Sequence, residues 1–461
     1  MSRNHPHFSA TLAQVTVACR GCVDERWEEV AVSGVSTDTR TLAPGELFVA
    51  LVGQQHDAHE FLSGAQSKSA AAAVISDPRQ APADLPVVVV DDTLEALGLL
   101  AAWHGSKMPA RVAAITGSTG KTTTKDMLGQ IVQRVGPAVV AEGTHNNEIG
   151  APLTLLRLGP EDRFCVLELA MRGPGEIDYL AGIARPDVGV ITNIGQSHVG
   201  QLGSREAIAQ AKAELLAHIP ADGAAILNAD DFFFSVLSAM AESAVISFGT
   251  SAEADFRAVE IDDGDLERVS FRMVTPLGDV DLRMQVPGRH TVMNALAAAA
   301  AASQLGLTLE EIAAALEEYA GSPMRMQHVR GVGGAVVLND AYNASPDSVG
   351  AALNVLAAAE GRKIFVFGDM LEMGAEGEPA HRAIGEVAAE AGVDWLVTVG
   401  ELAGLAAQSA SERGVRVDAV DGAEQAAELL RAELNEDDVV LVKASRGMAL
   451  ERIVEALTDG N

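Results

Sequence analysis

The sequence predicts an α/β protein of three domains, with a central P-loop-type parallel sheet and a C-terminal Rossmann-like unit. Three observations lead there. At 461 residues the chain is too long for one ordinary core. From about residue 108 onward, continuous apolar runs alternate with helical stretches, the texture of a parallel sheet buried on both faces. One of those runs leads straight into a glycine-rich turn and then a helix.

The first domain is expected over residues 1–107. It carries strand-like runs at Leu47–Leu51, Ala72–Ile75 and Val87–Val90, and a helical run at Leu94–Trp103. Lys107, Met108 and Pro109 then read as a linker. The second domain, 108–320, has buried-strand runs at Val112–Ile115, Phe164–Leu169, Val188–Ile194 and Ala224–Leu227, with a helix expected over Glu206–Ile219. Strict alternation from Val280 to Val286 predicts a half-exposed antiparallel strand, paired with Val269–Val274 through Pro276 and Gly278. A helix is expected around Val292–Leu305, and Thr308 with Glu311 forms a capping box for the next. The third domain, 321–461, repeats the α/β alternation with strands at Val336–Leu338, Ile364–Phe367, Trp395–Val399 and Val439–Val442.

Composition narrows the partners. Hydrophobic residues make up 48% and aromatics 4%, which fits a globular core of small aliphatic side chains. Sixty-four acidic residues against 33 basic ones give a formal charge of −31, a field that repels nucleic acid and anionic membrane. Anionic substrates would therefore need local basic or backbone-donor pockets. No secretory signal is read in Met1–Arg20, and charges break every Ala-rich run before a membrane span is reached, so a cytoplasmic protein is expected. Cys19, Cys22 and Cys165 form no disulfide framework; the lone C-x-x-C has no second pair to complete a metal site.

The strongest local signal is Thr116-Gly117-Ser118-Thr119-Gly120-Lys121-Thr122-Thr123. Glycines let backbone N–H groups close on phosphate oxygens, and the helix N-terminus adds its positive dipole end. Lys121 can reach the outer phosphates and the Thr122 hydroxyl can ligate Mg²⁺. Ile115 stands where the longer P-loop pattern has its first glycine. The loop indicates a nucleotide but leaves the reaction open, since a kinase or a nucleotide-gated switch would use it too.

At this point the chain resembles the Mur ligases over nearly its whole length. Gly117–Lys121 resembles that family's short phosphate loop, and Thr144-His145-Asn146-Asn147-Glu148-Ile149-Gly150 its N-x-N-N-x-I-G segment, with Thr144 in place of the first Asn. Glu168 at a strand end, Thr192-Asn193-Ile194 leading to His198, and Ala211-Lys212-Ala213-Glu214 continue the match. Further stretches resemble the member that joins D-alanyl-D-alanine to a UDP-linked muramoyl tripeptide: Ser36–Arg40, Pro44–Leu51, Asp340–Ala344, Gly368–Gly374 and Val442–Arg446. The D-N-P-R motif of the sister that adds diaminopimelate is absent from the sequence.

The resemblance implies a monomeric ATP-dependent ligase working through an acyl phosphate. Lys121, Lys212, His198 and Arg325 are the implied catalytic residues. Gly117 to Thr123, Asn294, Arg325 and Asp340 are the implied nucleotide contacts. One Mg²⁺ is implied near Thr122 and Glu168 and a second near His198 and Lys212, with Lys212 taking up CO₂ as a carbamate. Read on its own, without the resemblance, Lys212 is an ordinary solvated helix lysine paired with Glu206 or Glu214, and Glu168 a surface salt bridge rather than a metal ligand. Asp38, Thr39, Arg40, Gly53, Asp57 and His59 are implied contacts for the uridine end. Asn146, Asn147, Tyr342, Asn343, Lys443, Ser445 and Arg446 are implied contacts for the peptide parts.

Overall fold

The computed structural model describes residues 8–53, 56–197 and 199–458, and its strands fall into four sheets. The first part of the chain holds a ribbon of Ser9–Thr11 against Ala31–Ser33 and a five-stranded sheet in the order Cys22–Val23, Val87–Val89, Ala72–Ile75, Leu47–Val49, Val35–Ser36. Cys22–Val23 is antiparallel to its neighbour and the remaining pairs are parallel. The helix Thr93–Gly105 packs against both Leu12–Cys19 and Gly150–Leu155. One apolar cluster therefore runs unbroken from Phe8 through Leu97 and Leu155 to Leu227, joining the first sheet to one face of the central one.

The central sheet has nine strands in the order Gly278–Met284, Val269–Thr275, Phe256–Asp262, Ala244–Gly249, Ala224–Asn228, Val188–Ile191, Arg111–Thr116, Phe164–Glu168, Ala138–Val140. All pairs are parallel except the expected hairpin and its join to Phe256–Asp262. Phe164–Glu168 is buried along its whole length, as its apolar run requires. On the opposite face the helix Arg289–Gln304 lies under the sheet and against the helix Lys121–Val135. Its Ala297–Ala302 stretch is completely buried, so only methyl groups separate the packed backbones.

The third sheet reads Gln327–Arg330, Val336–Asn339, Asp438–Lys443, Arg362–Gly368, Trp395–Val399, Arg416–Val420, with only the first strand antiparallel. Several expectations needed correction. The Val188 run stops pairing at Ile191, because Thr192 and Asn193 turn aside to hold the loop at 116–119. The helix expected over Glu206–Ile219 ends at Ala213 and tightens into a 3₁₀ turn. There the Glu214 carboxylate accepts the N–H groups of Gly175 and Asp178 at the start of another helix. The capping box of Thr308 and Glu311 is present as expected.

Candidate functional site

Strand Arg111–Thr116 is flanked by Phe164–Glu168 on one side and Val188–Ile191 on the other. The chain therefore changes its winding direction here, and a crevice opens at the carboxyl ends of these strands. The glycine-rich loop fills that crevice. Gly117 sits at φ +149, and a Cβ on it would fall 1.8 Å from Thr192 Oγ1, so no side chain fits. Thr192 Oγ1 donates to the Thr119 carbonyl at 2.5 Å, and Asn193 Nδ2 donates to Thr119 Oγ1 at 2.8 Å. The loop is thus held from the neighbouring strand end as well as by its own bonds.

Lys121 begins the helix and folds its ammonium back onto the loop, donating to the Gly117 carbonyl at 2.7 Å. Burial pulls its pKa below the usual lysine value, with Glu168 opposing and Arg325 adding to the pull. Thr122 Oγ1 donates to Glu168 Oε2 at 2.8 Å, and Asn146 Nδ2 donates to Glu168 Oε1 at 2.8 Å. Glu168 is only 2% exposed and lines the crevice, so it is not a surface ion pair.

Lys212 is also 2% exposed. Its Nζ donates to the Gly117 carbonyl at 3.0 Å, and Glu214 is occupied elsewhere, so the solvated reading of this lysine is corrected. Desolvation first, and then the charge of Lys121, hold its pKa well below the ordinary lysine value. The outcome is an amine buried beside a phosphate loop, with its charged form disfavoured.

The third domain closes the crevice. Arg325 donates from its guanidinium to Thr122 Oγ1 at 2.8 Å and stacks 4.2 Å over the Tyr342 ring. Asp340 takes an ion pair from Lys443 on one oxygen and the Met326 N–H, at 3.1 Å, on the other. Lys443 also donates to the Asn343 carbonyl at 2.9 Å, so its ammonium is engaged within the protein. Ser445 Oγ accepts the Leu371 N–H at 2.8 Å, and Arg446 pairs with Glu451 at 2.7 Å. Together these groups line a cavity of about 580 Å³ with Ser118 to Thr123, Asn146, Glu168 and Asn294. The Asn294 amide presses on the loop, since a Cβ at Gly120 would meet its Oδ1 at 2.3 Å.

Other sequence-predicted residues lie apart. Gly117 and Lys212 stand behind the loop, outside the cavity lining, and Asn147 accepts the Gly150 N–H at 2.9 Å, fixing the turn before a helix. Asp38, Thr39, Arg40, Gly53, Asp57 and His59 all sit beyond the carboxyl ends of the first sheet's parallel strands and do not line this cavity. His59 is buried; its Nδ1 lies 2.6 Å from Asp57 Oδ1, and its Nε2 accepts the Ser76 N–H at 2.9 Å. Both ring nitrogens are therefore spent inside the fold. Arg40 forks onto Asp38, whose carboxyl that hydrogen-bonded pairing holds below its usual pKa. His198 lies outside the described residues. Among the described residues, no three His, Cys, Asp or Glu side chains converge as a metal site.

Sequence reasoning missed several cavity-lining residues. Among them are His290, whose pKa burial lowers, Tyr319, and Asp347, which accepts the Gln196 N–H at 2.9 Å across the domain junction. For Asp347 a signal existed: it stands in the first turn of a helix that opens with Ser345-Pro346.

A nucleotide loop completed by an arginine from a second α/β unit is the layout of an enzyme that closes on its substrates, and the chain belongs to the Mur ligase family. Residues 115–302 match the Mur ligase middle domain, and residues 324–446 the Mur ligase glutamate ligase domain. Within the family, the chain is 38% identical to the UDP-N-acetylmuramoyl-tripeptide--D-alanyl-D-alanine ligase of Escherichia coli, over 98% of this chain and 99% of that one. It is 36% identical to the Bacillus subtilis enzyme of the same name, over 94% of this chain and 95% of the relative. MurF from Acinetobacter baumannii superposes with a TM-score of 0.91 at 33% identity, covering 98% of this chain and all of that one. MurF ligase from Thermotoga maritima in complex with ADP gives 0.82 at 25% identity, with 92% and 96% covered.

Proposed function

We propose that the protein joins D-alanyl-D-alanine to UDP-N-acetylmuramoyl-tripeptide, with ATP converted to ADP and phosphate. The observation that carries this is the meeting of Lys121, Thr122 and Glu168 with Arg325 across the domain junction. Such a junction can hold a γ-phosphate, a carboxylate and an amine in line.

A carboxylate oxygen of the tripeptide attacks the γ-phosphorus, the bond to ADP breaks, and an acyl phosphate forms. The dipeptide amine then attacks the acyl carbon and loses a proton. Phosphate leaves carrying one former carboxylate oxygen. In this reading the loop N–H groups and Lys121 bind the phosphates, and Arg325 offers a planar fork to the charge that spreads over the transferred group. Asn294 and Asp340 orient the nucleotide. The hydroxyl and carboxylate of Thr122 and Glu168 are hard oxygen donors already 2.8 Å apart, a set that fits Mg²⁺. Mg²⁺ held there would neutralise phosphate charge. Lys212 is the proposed carbamate, since burial favours the neutral amine that CO₂ requires, and it and His198 are the proposed ligands of a second Mg²⁺.

The uridine end is assigned to the carboxyl edge of the first sheet, around Asp38, Thr39, Arg40, Gly53 and the turn that Asp57 and His59 brace. Asn146, Asn147, Tyr342, Asn343, Lys443, Ser445 and Arg446 are assigned to the peptide side. For Asn147, Lys443 and Ser445 that means acting through the groups they hold. We assign domain limits at 107/108 and 320/321, a monomeric state, and a cytoplasmic setting where ATP is made. Among the described residues no helix is long and apolar enough to cross a membrane.

The test is ADP and phosphate release by the purified protein. Release should require both the UDP-linked tripeptide and D-alanyl-D-alanine, and ¹⁸O from the tripeptide carboxyl should appear in the phosphate. Turnover with diaminopimelate or lysine on a UDP-linked dipeptide, or rapid hydrolysis with ATP alone, would overturn the reading.

A further inference from the structure

A charged pair beside the phosphate loop has no part in the scheme above. Lys125 is 2% exposed, and its ammonium binds Asp126 Oδ1 at 2.8 Å and the Gly143 carbonyl at 3.0 Å. The other Asp126 oxygen looks across the domain junction and accepts the hydroxyl of Ser322. A hydroxyl has one proton, and this one goes to the carboxylate. The Tyr319 hydroxyl, 2.7 Å from Ser322 Oγ, is therefore the donor in that contact.

Thr122 and Asp126 are four residues apart on one helix and share a face. Arg325 follows Ser322 by three residues and donates to Thr122 Oγ1 at 2.8 Å. The same helix face thus grips the incoming segment at two points. Gly321 supplies a turn at φ 90 that glycine adopts freely, and beyond it the backbone is strained: the methionines on either side of Arg325 stand at φ 57 for Met324 and 50 for Met326. L side chains rarely adopt that conformation, and it persists where surroundings over-determine it. Here the surroundings are the Asp126–Ser322 bond, the Met326 N–H on Asp340, and the Tyr342 N–H on the Met324 carbonyl at 3.2 Å.

We infer that Asp126 and Ser322 form a positioning clasp, which ties the strained turn at 321–326 to the phosphate-loop helix and so delivers the Arg325 guanidinium to Thr122. Its kinetic consequence rests on the ligation reading; its structural consequence does not.

The test uses the full chain with Ser322→Ala. Amide hydrogen exchange at Arg325 and Met326 should accelerate by about tenfold or more, while strand Val336–Asn339 exchanges as before. With both substrates saturating, kcat should fall about tenfold and the KM for ATP should change by less than about twofold. Ser322→Thr, which keeps the hydroxyl, should recover most of that loss. In an Arg325→Ala background, Ser322→Ala should add less than about twofold, because the clasp acts through the arginine. Unchanged exchange at 325–326, or a full additional loss on top of Arg325→Ala, would overturn the clasp. A wild-type protein that releases no ADP with both substrates would remove the ligation reading, and the exchange measurement would then decide the clasp alone.

Discussion

Replacing Gly200 by alanine asks whether the two halves of the cavity must meet at one fixed separation. The turn Val199–Leu202 of the central domain touches Gly374–Glu376 of the third, and Val199 packs against apolar residues of both. A Cβ on Gly200 would come 2.7 Å from the Met373 carbonyl carbon and 2.8 Å from the Gly374 nitrogen. Carbons in contact stand roughly 3.5–4.0 Å apart, and backbone atoms cannot rotate out of the way, so the third domain must retreat by about 1 Å at this point. Met373 and Leu371 line the cavity, so the retreat reaches the site. A displacement of about 1 Å between reacting groups costs on the order of a hundredfold in rate. Part of it will be absorbed by the two loops, so kcat should fall between about tenfold and a hundredfold. Neither core is opened, and the unfolding midpoint should stay within about 2 °C of wild type. Gly404→Ala, where nothing lies within 4 Å of the added carbon, serves as the control. The assay is steady-state ADP release with both substrates saturating. A Gly200→Ala protein with the wild-type kcat would refute the argument that docking distance is fixed there.

Lys212→Met should abolish turnover and yet stabilise the fold. Burial holds the folded-state pKa of Lys212 well below 10.5, so between that lowered value and 10.5 the unfolded chain binds more protons and stability rises with pH. Below the window the cost of burying charge is fully present. The methionine's advantage should thus be largest at low pH and shrink toward pH 10.5, which denaturant titrations at several pH values would measure. Thr122→Ala removes the hydroxyl shared by Glu168 and Arg325 and should lower kcat/KM about a hundredfold in the same ADP assay. Arg362→Ala leaves the fully buried Asp438 carboxylate without its fork of donors. Because Arg362 is about a third exposed, the expected destabilisation is about 1–3 kcal/mol by urea unfolding, with activity per folded molecule unchanged.

The parts of this fold that could be read in advance are those where burial on both faces left continuous apolar runs. Arg111–Thr116, Phe164–Glu168 and Trp395–Val399 are of this kind. The strands that escaped notice are short or only partly covered: some lie at sheet margins, while Ala244–Gly249 and Phe256–Asp262 lie inside the central sheet but are buried over only part of their length. Ala138–Val140 spans three residues, and Arg416–Val420 is exposed at its ends and carries an aspartate. In the site, the loop at 117–123 was legible because its chemistry is local. Lys212 was not: on its own it passes for a solvated helix lysine, although Ile208 and Leu215, four before and three after it and both fully buried, mark its face of the helix as the inward one. Lys125 follows the same logic with Leu128 and Val132. The pairing of His59 with the Ser76 N–H and of Lys443 with Asp340 could not be read, because each joins residues far apart in the chain that only the finished fold brings together.

The six adjacent alanines at 297–302 set a limit on how this chain can drift. A single base change in an alanine codon yields Val, Ser, Thr, Pro, Gly, Asp or Glu. Proline would break the helix, the acids would enter a dry interior, and the branched residues would wedge the phosphate-loop helix away from the sheet. Only serine and glycine come near the room available. A library of random variants selected for growth should leave this stretch almost untouched, although none of its side chains could ever meet a substrate.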